Sequence, residues 1–221
     1  KDFWEGMKWC QFSASRDISV RSLTCLKISG NKILSTDNFR VSRYIMDEDT
    51  GITVLIPKEN VESLLKFPGL NEFCVIFQDE VADEDSIPSW IIFRDSETGL
   101  ICGSRLVLGS FPDEKVIEDF FLTEGEPITL PKELKAQVNR AGKFAEGIIA
   151  ETTNITVEMR NNFVKVISRK ASGFLEQESE TDYDGDTITF DIIPALFEQI
   201  LSKVSKISVC DRFLLFDVGN F

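Results

Sequence analysis

The sequence predicts an α+β protein made of two copies of one domain, and three observations point there. Short apolar runs bounded by Gly, Asn, Asp and Pro recur along the whole chain and read as strands. Four segments carry apolar residues at helical spacing. The elements fall in one order twice, helix, strands, helix, strands, which is an internal repeat. A length of 221 residues suits two domains of ordinary size, placed at residues 1–120 and 121–221.

The first element is a helix over Lys1–Ser15. Phe3, Met7, Cys10 and Ala14 share one face, Lys1 and Lys8 lie opposite, and Arg16 is near them. Trp4, Trp9 and Phe12 fall off the apolar face, and packing against a neighbouring domain is expected of them rather than an exposed patch. Strands follow at Ser22–Ile28, Ile33–Thr36, Arg40–Met46 and Ile52–Ile56, with Gly30-Asn31 as a hairpin turn. A helix over Pro57–Lys66 precedes strands at Glu72–Phe77, Trp90–Arg94 and Leu100–Val107. Phe111-Pro112-Asp113-Glu114 breaks the pattern, and the acidic stretch Glu118–Glu126 reads as an interdomain linker.

The second copy opens with a helix over Pro131–Ala145. Strands follow at Ile155–Met159, Phe163–Ser168, Phe174–Glu178 and Thr187–Phe190, with Asn161-Asn162 as a turn. A helix over Asp191–Lys203 and strands at Ile207–Cys210 and Phe213–Val218 complete it. Two helices begin Pro-Lys-Glu, at Pro57 and Pro131, which suits the first helical turn and the positive end of its dipole. Lys1-Asp2 reads as the remnant of a third such start, and Phe221 closes a segment with no element after it, so the chain is expected to be a fragment.

Composition narrows the function. With 43% hydrophobic residues the chain is an ordinary globular mix, not disordered, collagen-like or mucin-like. It carries 24 Lys+Arg against 37 Asp+Glu, a net charge of −13, and no histidine. Ser-His-Asp and Cys-His catalysis and His-ligated zinc are therefore excluded. Five widely spaced cysteines without a C-x-x-C argue against a disulfide framework or a thiolate zinc site and fit a reducing cytosol. No apolar run approaches the ~20 residues that span a bilayer. Nothing at the start reads as a signal peptide, so no membrane partner and a cytoplasmic location are expected. In that setting the Asn154-Ile155-Thr156 sequon is inert.

Motifs for catalysis are lacking. Ser63-Leu64-Leu65-Lys66 matches S-x-x-K without its companion motifs. Asp182–Asp186 looks like a calcium loop, but Gly185 is misplaced and Ile193 stands where the closing Glu belongs, so it reads as a turn. No G-x-G-x-x-G, P-loop or G-x-S-x-G occurs, and no pair of acids has a spacing suited to acid–base work. The expectation is a non-enzymatic protein with no catalytic residue, no cofactor and no metal.

The charge is unevenly placed. Segments 1–16, 57–66, 131–143 and 190–206 hold 11 Lys+Arg and 7 Asp+Glu, or +4, and the rest hold 13 and 30, or −17. In the helix after Pro131, Leu134, Val138, Ala141, Ala145 and Ile148 share one arc, with Lys132, Lys135, Asn139, Arg140 and Lys143 on the other side. The helices thus offer a cationic surface in a strongly acidic chain. Net acidity argues against coating nucleic acid, not against a local basic face.

One stretch carries a resemblance. Ile33-Leu34-Ser35-Thr36-Asp37-Asn38-Phe39-Arg40-Val41 resembles the "ATDGHRL" segment of the bacterial sliding clamp, the beta subunit of DNA polymerase III. Phe12–Asp17 resembles the end of the helix in that clamp's second domain, and Val54–Leu65 its "VIVPRKGVIEL" segment. Gly103–Asp113 is similar to the stretch ending in its "FPD" turn. Leu134–Ala141 and Asp191–Leu201 resemble the two helices of its third domain.

The resemblance implies tandem DNA-clamp domains, each with two helices packed on a curved antiparallel sheet, forming part of a ring. It aligns the chain with the second and third of three domains, the last strand missing. Double-stranded DNA would thread the ring without sequence reading. Subunits would self-associate, a dimer of three-domain chains. DNA polymerase, clamp loader and repair proteins would dock short linear motifs in a pocket. The resemblance places that pocket at Leu23, Thr36, Asn38, Phe39, Arg40, Val41, Pro112, Ile117, Asp191 and Pro194. Asn38-Phe39 replaces the usual Gly-His, Asp191 an Asn-like position and Pro194 an aromatic. DNA-facing candidates are Lys8, Arg16, Arg21, Lys58, Lys132, Lys135, Arg140, Lys143 and Lys203. Two other readings stand beside this one: a complete two-domain clamp closing as a trimer, as in some phages, and a clamp-fold adaptor that binds peptides without encircling DNA.

Overall fold

The structure, a computed structural model, describes residues 2–78, 87–145, 154–210 and 213–216. The chain divides into two compact units, one running to Glu118 and the other from Asp119.

The first unit opens with α1 (Asp2–Cys10), which continues as a 3-10 turn over Gln11–Ser13 and ends where Ala14 becomes extended. A second 3-10 turn over Arg21–Thr24 leads into β1 (Cys25–Ser29), so the strand begins three residues later than Ser22. Next come β2 (Lys32–Thr36), β3 (Val41–Ile45) and β4 (Thr53–Pro57), an antiparallel sheet ordered β3-β2-β1-β4. Gly30, at φ +60°, makes the tight β1–β2 turn. After α2 (Lys58–Leu64) a second antiparallel sheet forms from β5 (Glu72–Phe77), β6 (Pro88–Arg94) and β7 (Ile101–Arg105).

Strand alternation explains the core. Leu26, Ile28, Ile33, Val54 and Ile56 are buried in one cluster with Met7, Cys10 and Ala14 of the helical segment, the face expected for it. Trp4 joins this core and donates its indole N–H to the Leu70 carbonyl at 2.7 Å. Trp9 packs there too, so both tryptophans pack within their own unit rather than against a neighbouring domain. The helix lies close to the sheet at Gly6, where a Cβ would sit 2.7 Å from Tyr44 Cδ1 and 2.8 Å from Ile33 Cδ1. Gly6→Val is therefore expected to destabilise this unit by about 1–3 kcal/mol through overpacking. A urea midpoint equal to the parent's would mean that α1 is free to lift away.

A helix, α3 (Glu114–Leu122), follows. It corrects the linker expected over Glu118–Glu126, because Ile117 and Phe121 stand one turn apart and the surrounding acids belong to a helix surface. The second unit contains β8 (Glu126–Thr129), α4 (Leu134–Ala145), β9 (Ile155–Arg160), β10 (Phe163–Lys170) and β11 (Gly173–Glu180). It continues with β12 (Ile188–Ile192), α5 (Pro194–Leu201), β13 (Lys206–Val209) and β14 (Leu214–Leu215). One sheet is ordered β11-β10-β9-β12, which repeats the third-second-first-fourth order of β3-β2-β1-β4. The other is β14-β13-β8. Asn161 and Asn162 both take positive φ, +46° and +66°, as the β9–β10 hairpin turn requires.

In this unit Leu134, Val138 and Ala141 of α4 and Phe197 of α5 bury against Ile155, Val157, Met159, Val164 and Val166. Three helix starts also differ from the expectation. Pro57 closes β4 and caps α2 with an extended ψ of 135°, so the helix starts at Lys58. Pro131 precedes α4 by a turn, leaving Lys132 and Glu133 outside the helix. Asp191 and Ile192 pair with β9 as part of β12, so α5 starts at Pro194, where proline has no amide proton to lose. The residues Lys1, Ile148 and Val218, to which positions were assigned from sequence, lie outside the described residues.

Candidate peptide pocket and nucleic-acid face

The unit-one half of the expected pocket lies on the sheet face turned away from α1. Because strand side chains alternate, burial of Ile33 and Tyr44 in the core puts Lys32, Leu34 and Thr36 of β2 and Val41, Arg43 and Ile45 of β3 on the outer face. By the same alternation Cys25, Lys27 and Ser29 of β1 share it. The ladder makes Lys27, Leu34 and Arg43 one cross-strand row, and Thr36 pairs with Val41 two residues further along.

The β2–β3 turn is built rigidly. Thr36 donates its hydroxyl to the Arg40 carbonyl at 2.7 Å, and Asp37 Oδ1 accepts the amides of Phe39 at 3.0 Å and Arg40 at 2.8 Å. Arg40 closes the turn with Nε at 3.0 Å and Nη2 at 2.8 Å from Asp37 Oδ2, and its guanidinium lies 5.2 Å from the Phe12 ring. Asn38 takes φ +71°, a conformation Asn tolerates. The outcome is that Phe39 is displayed at 81% exposure, while Thr36 is buried. Leu23 is buried in the turn before β1.

The segment after β7 covers the outer face. Val107 and Phe111 pack on Cys25 and Leu55, beside a cavity of about 210 Å³ that Lys27, Thr53 and Leu108 also line. Pro112 is half-buried and Ile117 is 3% exposed. Around Ile117, Glu114 pairs with Lys27, and Glu118 meets Arg43 at 2.5 Å and Lys32 at 2.9 Å. The Lys32 contact leaves Glu118 Oε1 without a well-aligned hydrogen bond, so that pairing is mainly charge on charge. Partial burial pushes both carboxyls up, yet the contacts of Lys27 and Ser29 with Glu114, and of Lys32 and Arg43 with Glu118, outweigh it. Both are held below the ordinary glutamate range. Sequence reading missed this set; the available signal was cations at outward strand positions and acids at i and i+4 around a buried Ile.

The remaining two expected pocket residues belong to the second unit. Asp191 is exposed on β12 and accepts the Thr156 hydroxyl at 2.7 Å. Pro194 is buried at the start of α5, where a Cβ on Gly142 of α4 would come within 2.8 Å of it. That burial against α4 leaves Pro194 little surface to offer a ligand.

The cationic candidates divide. Lys135 and Lys143 are exposed on the side of α4 away from Leu134, Val138 and Ala141, and Lys132 is exposed just before the helix. Arg140 is exposed but turns toward the sheet, donating Nε to Gln177 Oε1 of β11 at 2.6 Å. Lys8, Arg16 and Arg21 are exposed. Lys58 is half-buried, its ammonium 3.4 Å from the Ala14 carbonyl. Burial is the main cause that lowers the Lys58 pKa, and the nearby Arg16 and Arg40 add to it against Glu62 and Asp37. Lys203 is partly buried in the turn that ends α5. Among the described residues no cluster of acids, Cys or His could hold a metal ion, and no helix is long and apolar enough to cross a membrane.

No protein-family model matches the sequence, and no curated protein does. Solved structures do match in fold, and the fold is that of bacterial DNA sliding clamps. The chain is similar to the DNA polymerase sliding clamp of Caulobacter crescentus, with a TM-score of 0.77 at 15% identity over 99% of this chain and 60% of that one. It is similar to the DNA polymerase beta subunit of Streptococcus pyogenes, with a TM-score of 0.72 at 19% identity over 92% of this chain and 55% of that one. The sliding clamp of Bartonella birtlesii bound to griselimycin gives 0.71 at 15% identity, over 93% and 56% of the two chains. The chain thus spans between half and two thirds of the length of the clamps it matches.

Proposed function

We propose that the chain is part of a DNA sliding clamp, a processivity factor that encircles duplex DNA and tethers a polymerase and other partners. The observation that carries this reading is the exposed cationic side of α4 in a chain of net charge −13, on a fold shared with clamps. Retention would be topological. Lysines on a helix surface attract phosphates without reading bases, so the protein slides while an acidic exterior repels DNA elsewhere.

Partner peptides would dock on the outer face of the first unit, at Leu23, Thr36, Asn38, Phe39, Arg40, Val41, Pro112 and Ile117. Displayed Phe39 supplies the aromatic anchor and Val41 and Pro112 the apolar contact, with buried Ile117 supporting that wall from beneath. Because Asp37 holds both forks of Arg40, the turn recognises its ligand by shape and apolar contact more than by a free charge. Griselimycin, to which the Bartonella clamp is bound, serves as a probe of this proposed pocket. Phe39→Ala with Val41→Ala is expected to weaken griselimycin binding by roughly tenfold or more, as for loss of an interface anchor. Equal affinity of parent and variant by calorimetry would place the ligand elsewhere.

A further inference from the structure

We propose that a charge latch, Glu114 and Glu118 of α3 against Lys27, Lys32 and Arg43 of the sheet, sets the ligand affinity of the pocket by fixing its Pro112–Ile117 wall; this rests on the pocket reading above. None of the five charged residues is among the proposed pocket residues, although Lys27 also lines the neighbouring cavity. They are positioning residues that act through the backbone they hold.

The geometry supports this in three steps. Glu114, Ile117 and Glu118 sit at i, i+3 and i+4, so one side of the first turns of α3 carries an apolar residue flanked by two acids. Their partners stand on three successive strands, Lys27 on β1, Lys32 on β2 and Arg43 on β3, so the ion pairs stitch the helix across the sheet. The Lys27–Leu34–Arg43 row lies two residues, roughly 7 Å, from the Thr36–Val41 pair that floors the pocket.

Apolar burial alone holds this wall weakly. Lys115 and Val116 are exposed, and Ile117 is the one fully buried side chain between Asp113 and Glu118. Asp113 caps the helix start by accepting the Lys115 amide at 2.9 Å, which orders the turn without attaching it to the sheet. Attachment therefore falls to the charges. Their side chains are 17–31% exposed, so solvent screens them less than a surface pair. Three cations face two acids, and removing Glu114 takes the carboxylate from half-buried Lys27.

Both carboxyls titrate below the ordinary glutamate range. A depressed folded-state pKa contributes stability that is present above the unfolded value and lost as pH falls through the folded one. The latch is therefore closed at neutral pH and opens only in acid. Among the described residues, the charged groups that face Glu114 and Glu118 from the packed strands are Lys27, Lys32 and Arg43.

The test uses griselimycin titrated into the parent, into Glu114→Gln with Glu118→Gln, and into the swapped pair Lys27→Glu with Glu114→Lys. Amide exchange of residues 113–118 is measured on each. In the double Gln variant, binding roughly tenfold weaker and faster exchange of residues 113–118 are expected, together with a lower thermal midpoint because half-buried cations lose their counter-charge. The swap is expected to restore most of the affinity, and a merely structural role would not show such rescue. Parent-like affinity in the double variant, with exchange accelerated, would overturn the latch while leaving the pocket in place. A parent that fails to bind griselimycin would overturn the pocket reading and the latch with it.

Discussion

Charge reversal of Lys132, Lys135 and Lys143 to Glu is expected to strip the protein of most of its hold on duplex DNA while leaving its circular dichroism and melting unchanged. All three are exposed, so nothing in the core depends on them. If each meets a phosphate in the parent, the slope of log affinity against log salt should fall by about 3, roughly one for each lost contact. Reversal also adds three negative charges where phosphates approach, so the loss should exceed that from three alanines. Arg140→Glu alone should have less effect, because its guanidinium is turned to Gln177. An unchanged salt slope in the triple variant would mean that this helix side does not meet DNA.

Phe93→Ala is expected to destabilise the first unit by about 3–5 kcal/mol, the range for a fully buried aromatic. Phe93 is 1% exposed, and its ring centre lies 5.0 Å from Trp4, 5.9 Å from Phe3 and 6.3 Å from Phe73. Its loss removes the ring that joins α1 to β5 and β6. Trp4 reports the change directly, since its indole N–H is anchored on Leu70. Because the chain folds as two units, the urea transition of the first should move while that of the second stays. A shift below about 1 kcal/mol would mean that the cluster closes over the cavity at little loss.

Much of the fold is legible in the sequence for a local reason. Leu26 and Ile28, Ile33 and Ser35, Val54 and Ile56 alternate because one strand face meets a helix. Leu134, Val138, Ala141 and Ala145 recur at helical spacing because one side of α4 meets a sheet. Where pairing is distant, local signals do not suffice. Four-residue β8 is specified by its pairing with β13, Ile128 against Ile207, and its Glu126-Pro127 start reads as a linker. The acids of α3 conceal its Ile117–Phe121 spacing, since they make ion pairs with strands 75 to 87 residues earlier.

The same division holds at the candidate site. The Thr36–Val41 turn is visible as a motif, because Asp37 and Asn38 have few other uses in that order. That Phe39 stands out at 81% exposure is not visible, since it depends on the φ of Asn38 and on the Asp37–Arg40 pair. Pro194 has the composition of a pocket residue, but the absence of a side chain at Gly142 lets α4 bury it. The basic side of α4 is readable from periodicity, whereas the turn of Arg140 toward Gln177 is tertiary.

The most direct measurement of the central claim is retention on DNA of different topology. The protein is loaded onto nicked circular plasmid, washed at high salt, and the plasmid is then linearised. An encircling protein stays on the circle and is released when the ends appear, because phosphate contacts alone do not survive the wash. Equal retention before and after linearisation would contradict encirclement and leave a clamp-fold adaptor bound by contacts alone.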